Sequence, residues 1–434
     1  MTRRSTPSAG PTAGSGDPAS IGTAFVEALA RGDWAGAQVM EDPVMAAAVP
    51  ASKLQQLAQL LAAQYGAYQS IGSVTATPQA FGTIAAVPVT FANATVTLNV
   101  SVNSAGQVGG FHVGTVAPVS PAAPATYVMP GSFTESAVTV GLAPWELLGT
   151  LTMPNGAGPF PAVVLVQGSG PHDRDETFGL NTPFRDLAWG LASAGIAVLR
   201  YDKRTFVHGA QMAADTSITV RQETTDDAIA AIALLRMTPR VDPVQVFLVG
   251  HSLGAYLAPR IAAEVPSELA GIAMLEAPTL SIPQLMLLQV QYLASLQGNP
   301  SPSAQDQLAA LQAAAALADS PDLSPSTPAS QLPGNVPASY WLDLRTYDPV
   351  TVAASLTLPM FFSQGGRDYQ VPPSELQGWE QALASHANVT FRTYSAMDHL
   401  LLNGSGPATP AEYSVPGHVD SQLVADLAAW LRSY

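Results

Sequence analysis

Apolar residues follow a helical period at the start of the chain and a period of two soon afterwards. In IGTAFVEALARGDW, Ile21, Phe25, Ala28 and Leu29 fall on one face of a helix. A second helix is predicted in PASKLQQLAQLLAAQYGAY, with Pro50 near its start and Gly66 near its end. The alternating stretches SIGSVTATP, TIAAVPVTFANATVTLNVSV and VGGFHVG follow, broken at Asn93 and at NSAGQ. They predict an antiparallel meander. Helices followed by a meander make a small α+β domain over residues 19–115. A Pro/Gly/Ser/Thr-rich tail at 1–18, expected to be disordered, precedes it, and a Pro/Ala-rich linker at 116–130 follows.

From residue 131 the rhythm changes. Short runs that are apolar throughout appear in AVVLVQG, GIAVLRYD, VQVFLVG, GIAMLEA and PMFFSQG, separated by helical patterns at 183–194, 221–236 and 252–264. Strands without alternation, spaced by helices, indicate an α/β fold with a parallel sheet covered on both faces. ESAVTVG and WELLGTLTMP predict an antiparallel pair leading into it. Between GIAMLEAP and LPMFFSQGG the pattern is helical and then Pro/Ser-rich, with no strand signal. This predicts a helical cap at about 280–345 with a flexible segment, inserted in a domain spanning 131–434.

Composition narrows the function classes. The formal charge is −15, and the only lysines are Lys53 and Lys203. That argues against a nucleic-acid groove and a polybasic membrane patch. There is no cysteine, which excludes disulfides, thiolate metal sites and a cysteine nucleophile. No apolar run is long enough to predict a membrane span, and the first twenty residues lack the apolar core of a signal peptide. The compartment stays open.

The most specific motif is VFLVGHSLGAYLAPRIA. Gly250-His251-Ser252-Leu253-Gly254 fits G-x-S-x-G with an apolar strand before it and an apolar helix after it. A serine hydroxyl needs a base to take its proton, and the base needs an orienting acid. His399 is expected to be the base, because a loop after the strand NVTFRTYS would carry it to the active end of the sheet. His386 precedes that strand and falls at the wrong end, and His418 suits a structural role before the final helix. Asp368, in a Gly-rich loop after PMFFSQG, is the expected acid. Asp398 adjoins the base too closely in sequence, and Glu375 is expected on a solvated helix face.

Together these residues resemble the α/β-hydrolase superfamily, and in particular bacterial serine esterases with an oxyanion segment G-S-G-P-x-D-R-D. Here that segment is Gly168-Ser169-Gly170-Pro171-His172-Asp173-Arg174-Asp175, followed in order by RYDKR, GHSLG, QGGRDYQVP and MDHLL. The N-terminal unit is similar to the NTF2-like domain of unknown function often fused before such esterases. The resemblance implies an α/β-hydrolase fold and a triad of Ser252, Asp368 and His399. It also implies an oxyanion hole from the backbone N–H groups of Ser169 and Leu253, with no cofactor. Gln167 stands where many relatives have His, and Thr205 where Gly commonly follows Lys-Arg. The implied activity is hydrolysis of short to medium acyl esters through an acyl-enzyme, with a small-molecule ester as partner. Thioesterase, peptidase or acyltransferase chemistry would use the same triad, and a non-catalytic binder of hydrophobic ligands is the alternative from another class. The N-terminal unit offers a surface for a homodimer.

The loop at 166–176 admits other readings. A dinucleotide site would need glycine where Asp173 stands, and no P-loop pattern occurs. A metal site from His172, Asp173 and Asp175 would hold Arg174 in its midst, which argues against it. Asp173, Arg174 and Asp175 are therefore expected to brace the loop, with Arg204 or Lys203 as ion-pair partners.

Overall fold

Contacts divide the chain into Met1–Ala123 and Pro124–Tyr434. The computed structural model describes residues 17–79, 82–92, 94–118, 123–296 and 302–434. The N-terminal tail lies outside the described residues up to residue 16, and residues 119–122 of the linker do as well.

In the first unit, helix Pro18–Arg31 opens on Asp17, whose carboxylate accepts the Ser20 N–H, and closes on left-handed Gly32. It buries Phe25, Val26, Ala28 and Leu29, close to the face predicted from spacing. Helices Trp34–Val39 and Pro43–Ala48 are too short to show a period and hang on their caps Asp33 and Asp42. Helix Ala51–Tyr65 completes the layer. The sheet comprises β1 (Tyr68–Ile71), β2 (Thr75–Gln79), β3 (Gly82–Phe91), β4 (Ala94–Val102) and β5 (Val108–Pro118). Its order is β1-β3-β4-β5, with β2 also paired to β3. Buried and half-buried residues alternate along β3 and β4, so one face packs on the helices. Phe25 meets Phe111 of β5 edge-on at 5.4 Å.

The second unit holds an eight-stranded sheet of β6 (Phe133–Val140), β7 (Leu147–Pro154), β8 (Phe160–Val166), β9 (Ala197–Tyr201), β10 (Val241–His251), β11 (Gly271–Leu275), β12 (Met360–Gly365) and β13 (Val389–Tyr394). The order is β13-β12-β11-β10-β8-β9-β7-β6. β6 pairs antiparallel with β7, and β7 antiparallel with β9, while β8 to β13 run parallel. The continuous apolar runs now have their reason, because both faces are covered. Val163, Leu165, Phe247 and Val249 pack toward helices Pro183–Ser193 and Ser421–Leu431. Val164, Val166 and Leu248 pack toward Asp226–Arg236 and Leu253–Glu264.

Two expectations need correction. The linker does not run from 116 to 130, since β5 continues to Pro118, while Ala125 and Val128 are buried and Tyr127 packs on the second unit's core. The insertion between β11 and β12 is helical, with helices Ile282–Leu296, Pro302–Asp319 and Ala338–Arg345. Its Pro/Ser-rich stretch is packed rather than loose, because Leu323 and Leu332 are buried in the main core beside Trp341 and Leu344.

Candidate active site

β10 ends at His251 and helix Leu253–Glu264 begins two residues later, so Ser252 alone makes the turn. Its φ is 53° and ψ −114°, a conformation that costs a non-glycine residue about 1–3 kcal/mol. The turn is held by the Ser252 N–H donating to Leu275 O at 3.0 Å and by Ser252 O accepting the Tyr256 N–H at 2.8 Å. The flanking glycines are obligatory by contact. A Cβ on Gly250 would stand 2.3 Å from Gly254 O, and one on Gly254 would stand 2.2 Å from Val166 O.

Asp368 and His399, in the loops after β12 and β13, come together. His399 Nδ1 lies 2.7 Å from Asp368 Oδ2. The other oxygen, Oδ1, accepts the N–H groups of Gln370 at 2.7 Å and Val371 at 2.9 Å. The His399 loop is shaped by Asp398, whose Oδ1 accepts the Leu400 and Leu402 N–H groups. Burial pushes the Asp398 carboxyl up to about 6. His399 is carried next to the serine's neighbour: its carbonyl lies 2.8 Å from His251 Nε2, and the two rings are 4.8 Å apart.

The loop after β8 closes on the same point. A Cβ on Gly168 would stand 3.1 Å from Ser252 Cβ. Among the described residues, neither the Ser169 nor the Leu253 N–H has a protein acceptor. Asp173 folds the charged tail on itself, its Oδ1 accepting the Asp175 and Thr177 N–H groups at 3.1 and 2.9 Å. Arg174 grips Asp202 through Nε and Nη2 at 2.9 and 2.6 Å, and Arg200 Nε donates to Asp175 at 2.7 Å. Arg204 is a correction. It turns away from the loop beyond β9 and pairs with Asp227, its Nε donating at 3.0 Å. His172 Nε2 lies 2.7 Å from Ser169 O, and burial pushes its imidazole down. Among the described residues, no group of three or more His, Asp or Glu side chains converges as a metal site. No helix there is long and apolar enough to cross a membrane.

Several residues absent from the sequence reading connect these parts. Glu176, with φ 50°, accepts the Gly168 N–H at 2.6 Å and places its other oxygen 3.0 Å from His251 Nδ1. That second contact is an ion pair, poorly aligned as a hydrogen bond. His251 Nε2 faces a carbonyl and Nδ1 a carboxylate, surroundings that favour the protonated imidazolium. Burial pushes the imidazole down, but Glu176, the His399 carbonyl and Asp368 together outweigh it and the net shift is up. For Glu176, burial raises the carboxyl while the His251 charge lowers it, and the net shift is down. Glu276, at the end of β11 with φ 54°, accepts the Gly365 N–H, and burial followed by the Asp368 charge holds its carboxyl well above the usual range. Glu276 leaves a trace in the sequence, since a charged side chain directly after an apolar strand has to find a partner or neutralise. Glu375 corrects another expectation: it is buried and accepts from Thr279 N and Oγ1 and from Leu280 N, at 2.7, 2.7 and 2.9 Å. His418 pairs with Asp186 at 2.9 Å.

The charged His251–Glu176 contact has a pH signature. A raised folded-state value means its stabilisation is complete below the ordinary histidine value of 6.5 and is lost as pH rises through the higher folded value. Urea unfolding should therefore show a His251→Gln variant trailing the parent most near pH 6, with the gap narrowing toward pH 9. A gap that widens with pH would contradict the imidazolium assignment.

A mostly parallel eight-stranded sheet with a strained serine between strand and helix, and an Asp–His pair on the loops after β12 and β13, defines an α/β hydrolase. The family described as "Serine aminopeptidase, S33" matches residues 180–405, and the chain belongs to it. Residues 23–111 match a "Protein of unknown function (DUF3887)" family. Esterase EstD of Thermotoga maritima is 40% identical over 305 residues, covering 70% of this chain and 69% of that protein. Among solved structures, Est1E from Butyrivibrio proteoclasticus is 14% identical with a TM-score of 0.44, covering 69% of this chain and 99% of that one. A Pyrococcus furiosus esterase is 16% identical with a TM-score of 0.43, covering 70% and 92%. These two likenesses are too distant to add to the family match.

Proposed function

We propose that this chain is a serine carboxylic-ester hydrolase in which Ser252 is the nucleophile, His399 the general base and Asp368 the residue that orients it. The observation that carries this reading is the meeting of four loops. Ser252 on its strained turn, Gly168 against it, and the His399–Asp368 pair beside His251 all stand at the carboxyl ends of the parallel strands. His399 takes the Ser252 proton as the oxygen attacks the ester carbonyl. The resulting oxyanion is stabilised by the free Ser169 and Leu253 N–H groups, the latter at a helix N-terminus whose first donors have no intrahelical acceptor. His399 then protonates the leaving alcohol. Water, deprotonated by the same histidine, releases the acid from Ser252.

The 40% identical relative named as an esterase supports an ester substrate. A cavity of about 520 Å³ is bordered by Leu288, Tyr292, Asp368 and Tyr369, and neither Ser252 nor His399 lines it. The family's description favours a second reading, a peptidase using the same triad. A serine-directed phosphonate should add one adduct per chain at Ser252. Turnover of p-nitrophenyl esters, without turnover of aminoacyl anilides, would then separate the two readings. Absence of an adduct would leave a binding protein and remove the hydrolase.

A further inference from the structure

The hydrolase reading leaves unexplained a buried lysine directly behind the oxyanion loop. Lys203 is 2% exposed, and its Nζ donates to Gly168 O at 2.6 Å. Glu223 Oε1 lies 2.7 Å from the same nitrogen, and Tyr340 Oη donates to Glu223 Oε2 at 2.6 Å. A buried lysine–glutamate pair is weak evidence for stability, because apolar residues of equal volume often serve as well. Its placement therefore calls for another reason.

Gly168 O belongs to the peptide unit whose other end is the Ser169 N–H. The peptide is planar and trans, so fixing the carbonyl on one side fixes the N–H on the other. Gly168 is also tied at its own nitrogen, which donates to Glu176 Oε1 at 2.6 Å. The loop around it is rich in glycine and would otherwise allow the 168–169 peptide to rotate. We infer that Lys203 is a positioning residue for catalysis. It holds the 168–169 peptide with the Ser169 N–H aimed at the oxyanion, and its charge on the carbonyl polarises that peptide into a stronger donor. Glu223 keeps the ammonium in place, and Tyr340 on helix Ala338–Arg345 ties the pair to the cap. The inference rests on the hydrolase reading, because it needs an oxyanion to face.

The test is the double variant Lys203→Met with Glu223→Gln, which removes the donor without leaving an unpaired buried carboxylate. The chain should still titrate to one phosphonate adduct, with KM nearly unchanged. Its kcat on p-nitrophenyl butyrate should fall by about 10- to 100-fold, short of the 10²–10³ expected for losing a donor outright. The inhibition constant of a trifluoromethyl ketone, which forms a tetrahedral oxyanion on the serine, should rise by a similar factor. Lys203→Arg, which keeps a cation and donors, should recover most of the rate. A folded double variant whose kcat and ketone affinity stay within about twofold of the parent overturns the inference. So does a loss spread equally over KM, titration and melting temperature, which would mark a purely structural pair. If the double variant does not fold, Lys203→Gln, a neutral donor, is read in the same assays. Ser252→Ala separates the two levels: activity surviving that change removes the hydrolase reading itself, whereas its loss beside a normal Lys203 variant removes only this inference.

Discussion

Ser252→Ala should lower kcat for ester hydrolysis by about 10⁶-fold, the scale at which removing a triad serine reduces an enzyme to what its binding site and oxyanion donors supply. That corresponds to about 8 kcal/mol of lost transition-state stabilisation. The fold should survive, because the Ser252 backbone makes the turn's hydrogen bonds to Leu275 and Tyr256 without using the hydroxyl. Alanine at φ 53° keeps the same strain. A folded alanine variant hydrolysing p-nitrophenyl acetate at more than a hundredth of the parental rate would refute Ser252 as nucleophile.

Asp368→Asn should cost about 10⁴-fold in kcat with little change in KM. The contacts around this residue dictate why. Asp368 Oδ1 is fixed by two N–H donors, Gln370 and Val371, so an asparagine must turn its carbonyl oxygen toward them. Its NH₂ then faces His399 Nδ1 at the place where Oδ2 stands at 2.7 Å. A donor there forces Nδ1 to accept, which puts the imidazole proton on Nε2 and leaves nothing to take the serine's proton. Single-turnover kinetics should show both acylation and deacylation slowed, since His399 is the base in each. A variant within tenfold of the parent would mean that Asp368 does not orient the base.

Much of this site is legible in the chain because its parts are local. G-H-S-L-G announces itself through the strand before it and the helix after it, and both flanks are in the residues themselves. The choice of His399 over His386 and His418 needs only the alternation of strands and helices, which says at which end of a strand a loop lies. The same logic places Asp368. The loop's charged tail is proposed as a brace, and its pairings were not legible. Arg200, inside β9, reaches Asp175, whereas Arg204, four residues on, starts a short helix and faces Asp227. A shift of a few residues across a strand end reverses which way a long side chain points, and spacing does not resolve it.

The stretch at 320–337 misled for a related reason. Its Pro and Ser content is that of a loose connection, yet two leucines reach the core and pin it. Composition reports the average of a segment, and burial depends on its few apolar residues and on what stands opposite them.

By itself the sequence determined the parallel strands and the G-x-S-x-G turn, and it put the proposed His399 and Asp368 on loops after strands. Each follows from short-range periodicity and steric demand. Only the tertiary structure decided the strand order β13-β12-β11-β10-β8-β9-β7-β6. It also decided the ion pairs Glu176–His251 and Lys203–Glu223 behind the site, and the buried Glu276 on the Gly365 N–H. Those residues lie far apart in the chain and gain partners only when several loops converge. A buried charge is tolerable only once its counter-charge or hydrogen-bond donors are in place, and that condition is met in the assembled fold rather than in any one segment.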